Sequence, residues 1–230
     1  MLSRFSLYDF LAVVIPGIFF LWALAIVLDL KSLREALPLT GGIAETSMIV
    51  VVGYVTGLLL QSVSQLATEK LMLKAWGGFP QQRWLLYGST HFSREYRDEL
   101  NDALSRRFSL TLESVASTEP VDVRHKRNQE IFYRCYRSVE KQSDQPATFN
   151  AQYGLFRVLL TTFAIVCIVT LYSSGAEYWA RKSIPLRQLA LAVASLLAGI
   201  ICYYRATRRS QDFAKAVLDV FLVNNPKPLA

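Results

Sequence analysis

The chain is predicted to be an all-α, multi-pass membrane protein with four transmembrane helices and a cytoplasmic helical insert between the second and third. Three observations predict this. Residues 8–28, "YDFLAVVIPGIFFLWALAIVL", are apolar almost throughout, and three further stretches approach the same character. The apolar fraction is 52% and the charged fraction 19%, against about 25% charged in ordinary soluble domains. The charge is concentrated: 13 of 25 Lys/Arg and 11 of 18 Asp/Glu fall between Leu66 and Gln152.

A span needs about 20 mostly apolar residues at 1.5 Å rise each. The first is Tyr8 to Leu28. Its apolar run is longer than the roughly 7–15 residues of a signal-peptide core, so it reads as a retained helix. Asp9 lies at its mouth, where a carboxylate can cap the helix or reach the headgroups. Pro16-Gly17 sits inside it and predicts a bend, tolerable if neighbouring helices satisfy the freed carbonyl. The second span is Ile43 to Val63, the third Gly154 to Ser174 and the fourth Ile184 to Tyr204.

The intervening segments divide the chain into 1–65 (helices 1 and 2), 66–152 (insert), 153–204 (helices 3 and 4) and 205–230 (a C-terminal helix and tail). The second span is expected to run on as "SQLATEKLMLKAW" until Gly77-Gly78-Phe79-Pro80 stops it. Ser93 then precedes a helix in which Tyr96, Leu100, Ala103, Leu104 and Phe108 recur at three and four spacing. After Pro120, Ile131, Cys135 and Val139 mark a second helix. These helices are expected to pack on each other, on the tail helix "RRSQDFAKAVLDVFLV" and on neighbouring subunits. Lys/Arg counts are highest in the insert and the tail, which places both with the N-terminus on the cytoplasmic side of a bacterial inner membrane.

Small and polar residues supply the candidate contacts. Gly53 and Gly57 form a GxxxG pair, and Ala190, Ala194 and Ala198 repeat every four residues. Such residues let helix backbones approach closely, within one chain or in a homo-oligomer. Thr56, Gln61 and Ser64 suggest a polar helix face that could line a pore or bond to neighbouring helices. Arg157, at the start of the third span, can snorkel to the surface or pair with Asp9 inside the membrane. Arg124, His125, Lys126 and Arg127 offer contacts to RNA, a nucleotide or acidic lipid, or form a solvated helix start.

Nothing in the sequence marks an enzyme. There is no P-loop, GxSxG, HExxH or GxGxxG, and the only histidines are His91 and His125. Three cysteines without a CxxC pair support neither a disulfide framework nor a zinc site. No cofactor is expected.

"SLYDFLAVVIPGIFFL" at the start and "FNAQYGLFRVLL" at the third span resemble a family of small four-span bacterial membrane proteins. Some of these are similar to membrane components of anti-phage defence or CRISPR-associated loci. The resemblance implies an oligomeric inner-membrane effector or sensor that either senses damage or permeabilises the membrane, often with a soluble cytoplasmic protein partner. The alternative is a membrane anchor or scaffold that docks a soluble enzyme through the insert.

Overall fold

The computed structural model describes residues 10–28, 43–86, 89–112, 119–182 and 186–226. Every regular element among them is helical. In chain order these are α1 (Ile15–Val27), α2 (Ile43–Val63), α3 (Lys70–Trp76), α4 (Pro80–Trp84), α5 (Arg94–Phe108), α6 (Val121–Val139), α7 (Gln145–Arg181) and α8 (Leu186–Asn224). Two wider π-helical stretches, Phe10–Val14 and Ser64–Glu69, lead into α1 and join α2 to α3.

The chain folds as two units, one of Met1–Lys70 with Ala151–Arg208 and one of Leu71–Asn150 with Arg209–Ala230. Three helices are long and apolar enough to cross a membrane: Ser47–Trp84, Gln145–Ala180 and Leu186–Asn224. The first apolar segment is described as a shorter helix over Ala12–Val27.

Local chemistry explains the helix ends. The stretch Phe10–Val14 gives way to α1 at Pro16, the second α-helical residue. There the missing N–H withdraws a donor from the preceding turn. Gly77 (φ 68°) and Gly78 (φ 111°) end α3 in left-handed backbone, with the Gly78 N–H returning to the Leu73 carbonyl at 3.0 Å. This is a glycine-terminated helix end. Pro80 then opens α4, and the Phe79 N–H donates to Gln82 Oε1 at 2.9 Å. Ser93 caps α5 by accepting from the Tyr96 N–H at 3.2 Å.

The second unit is a helical module with its own core. Leu100, Ala103 and Leu104 of α5 meet Ile131, Phe132, Cys135 and Val139 of α6. Ala214, Val217, Leu218 and Phe221 complete it from the last turns of α8. The fourth apolar stretch and the C-terminal helix, expected as separate elements, are one continuous helix. No glycine or proline interrupts the chain from Ile200 to Asn225, so nothing breaks the backbone bonding there. Tyr96 Oη donates to Asp219 Oδ1 at 2.9 Å, tying α5 to α8. Removing that hydroxyl strands a carboxylate, so Tyr96→Phe should cost about 1–3 kcal/mol, read from thermal unfolding of the purified protein.

Cys135 is fully buried in this core, and burial pushes its thiol up to about 12. At pH 7.5 it should stay unlabelled by maleimide until the module unfolds, measured by mass shift after replacing Cys167 and Cys202 with alanine.

Candidate functional site

Gly17 of α1 faces Gly53 and Gly57 of α2 so closely that a Cβ on Gly17 would overlap the Gly53 carbonyl oxygen. A Cβ on Gly57 would overlap the Val13 carbonyl oxygen. The GxxxG pair is therefore occupied within the chain, against the Pro16-Gly17 segment. Phe19 of α1 meets Phe163 of α7 edge-on at 5.4 Å. Gly199 of α8 lies against Leu160 and Phe163 of α7, where a Cβ would sit in ordinary contact at 3.7 Å.

Within this apolar packing sits a polar cluster. The Arg157 guanidinium of α7 donates to the carboxylate of Glu69. Glu69 is the last residue of the π-helical stretch Ser64–Glu69. Arg157 is 5% exposed. One turn along α7, the Thr161 hydroxyl bonds with that of Thr68 at 2.7 Å and also reaches the Arg157 carbonyl at 3.1 Å. The guanidinium also lies 5.3 Å from the Tyr153 ring centroid, within cation–π range. Ser64 and Thr162 are fully buried beside these groups, and neither hydroxyl has a hydrogen-bond partner among the described residues.

Two opposite charges withdrawn from water hold each other because neither has a comparable alternative. The π-helical stretch adds to the picture, since such widened turns concentrate where a helix must present side chains out of its normal register. The cluster locks α2 to α7 through a contact that is costly to separate. It offers no nucleophile–base pair.

The structure distributes the other candidate residues as follows. Asp9 lies outside the described residues, and the carboxylate found at Arg157 belongs to Glu69. Thr56 and Gln61 are half-buried, whereas Ser64 is buried on the face that carries Gly53, Gly57 and Leu60. At about 100° per residue the three spread over an arc of about 140°, with Ser64 in the middle. Ala190 and Ala194 are exposed and Ala198 half-buried. The buried face of α8 carries Ala192, Ser195, Gly199, Cys202, Ala206 and Ser210, a different row of small residues. Arg124, His125, Lys126 and Arg127 occupy the first turns of α6. Of these, Lys126 and Arg127 are exposed and the other two half-buried. Arg127 reaches the Thr111 carbonyl at 3.4 Å. His125 packs near Gly78. Among the described residues no three His, Cys, Asp or Glu side chains gather to hold a metal.

Sequence reading missed Glu69. A signal was present: the face Gly53, Gly57, Leu60, Ser64 continues at four-residue spacing to Thr68, beside Glu69. Comparison with protein-family models, curated proteins and solved structures finds no match for this chain.

Proposed function

We propose that the chain is a four-span protein of the bacterial inner membrane, with the helical module and both termini in the cytoplasm. It acts there as a non-enzymatic effector or sensor. One observation carries the membrane reading: the first unit exposes large apolar side chains while several of its polar ones are buried. Leu59 (65%), Leu66 (67%), Ile168 (66%) and Ile201 (61%) are exposed, while Arg157, Thr161, Thr162 and Ser195 are buried. In water that arrangement would leave a large apolar surface uncovered. In lipid it lowers the free energy on both sides. The Lys/Arg excess of the insert and tail supports the cytoplasmic assignment.

The test is protease protection in sealed vesicles. The module should be cut only when its cytoplasmic side is accessible, and the protein should resist carbonate extraction. Release by carbonate, or cutting of the module from the periplasmic side, would reject the reading.

The resemblance at residues 6–21 and 149–160 extends the proposal to bacterial anti-phage defence, with self-association and membrane permeabilisation as the effector step. Because Gly53 and Gly57 are covered by α1, self-association would use the exposed faces of α2 and α8. Dye release from vesicles that hold the protein and its activating partner would support the pore; sealed vesicles under those conditions would reject it.

The second reading is an anchor that docks a soluble partner through the module. The complete hydrophobic core of that module, closed by the end of α8, favours it.

A further inference from the structure

We infer that the outer face of α6 is a binding site for a nucleotide unit: an aromatic base with ring or exocyclic N–H donors, carrying phosphate. Glu130, Tyr133, Arg134 and Arg137 line an open cleft of about 360 Å³ on this helix. They stand at i, i+3, i+4 and i+7, so all four rise from one side. The opposite side, Ile131, Cys135 and Val139, is held in the module's core, which fixes the helix behind the cleft.

The chemistry of the four side chains is complementary to one ligand class. Tyr133 is 48% exposed, and its ring is steadied edge-on by Phe132 at 6.2 Å between centroids. It offers a free aromatic face for base stacking. Glu130 is exposed and supplies a carboxylate acceptor, the group that pairs with N–H donors on a base edge. Arg134 and Arg137 are exposed, and neither is engaged in a hydrogen bond or ion pair among the described residues. Their guanidinium forks suit phosphate oxygens.

A purely basic patch would attract any polyanion; the carboxylate one turn before the arginines is repelled by phosphate unless a base donor covers it. That carboxylate favours a nucleotide over a phospholipid headgroup lacking such donors. The site is separate from Arg124–Arg127 and does not depend on the membrane reading.

The same chemistry could arrive as a free mononucleotide or as one residue of a single-stranded RNA. Full-length protein in detergent would be titrated with fluorescent guanosine and adenosine mononucleotides in one arm and a fluorescent 12-nucleotide RNA in the other. Saturable binding is expected in at least one arm, and the tighter arm identifies the source. Tyr133→Ala should weaken it by roughly 5- to 150-fold, the range for loss of one stacked base, while Tyr133→Phe retains it. Arg134→Ala with Arg137→Ala should weaken it at least tenfold and flatten its salt dependence. Glu130→Gln should alter the preference between the two bases. All four side chains lie outside the core, so the variants should keep the parent's unfolding temperature, which is measured alongside. No saturable binding of either probe at millimolar concentration, or binding unchanged by Tyr133→Ala and the double arginine variant, would overturn the inference.

Discussion

Arg157→Ala is expected to destabilise the protein by about 3–5 kcal/mol, the cost of leaving one charge of a buried pair without its partner. The guanidinium is buried and holds the Glu69 carboxylate. Its loss also removes the cation that faces the Tyr153 ring. Glu69→Ala should cost a similar amount, because the guanidinium is then stranded in the same surroundings. The double replacement Glu69→Leu with Arg157→Met should recover most of the loss, since an apolar pair of similar volume asks for no compensation. Denaturant unfolding in detergent micelles compares the parent, the two single variants and the double replacement. A double variant no more stable than Arg157→Ala would show that the two residues are not each other's principal partners.

Gly17→Ala and Gly57→Ala form the second large pair, each expected to cost about 1–3 kcal/mol or more. In both cases the added methyl overlaps a backbone carbonyl, at Gly53 and Val13 respectively. A backbone atom cannot rotate away, so the helices must separate along their whole contact. Gly53→Ala should cost less. Its nearest contact is a side-chain atom, Ile18 Cγ1, with the Ile18 backbone N in ordinary contact at 3.4 Å, and alanine gains about 1 kcal/mol of helix propensity over glycine. Thermal unfolding in detergent should therefore rank Gly53→Ala above the other two. Equal losses at all three positions would mean that α1 and α2 do not cross at these residues.

Much of the element map was legible because it depends on short-range chemistry. Gly77-Gly78 and Pro80 stop a helix wherever they occur, and the Ser93 side chain caps the next one. In α5 and α6 the apolar positions repeat along one side of otherwise polar helices, so Leu100, Ala103, Leu104, Ile131, Cys135 and Val139 identified their own core face. The apolar helices carry no such signal. Lipid-facing and protein-facing sides of α8 are both hydrophobic, and periodicity cannot tell Ala190, Ala194 and Ala198 from the row that is actually buried, Ala192, Ser195, Gly199 and Cys202. The choice is made by which side meets α7, where Gly199 lies against Leu160 and Phe163.

The ion pair shows the same division. Sequence placed an arginine near the start of an apolar stretch and offered two fates for it, snorkelling to the surface or pairing with a carboxylate such as Asp9. Glu69 lies 88 positions away in the chain, beyond any local pattern, and a π-helical turn carries it towards α7. What the amino-acid order determined alone was the class of each segment, helix, stop, apolar or amphipathic, since these follow from propensity and periodicity within a few turns. The tertiary structure alone decided the partners, Gly17 for Gly53 and Gly57 and Glu69 for Arg157. Those contacts depend on steric fit and on the desolvation of charge, which arise only once distant helices are side by side.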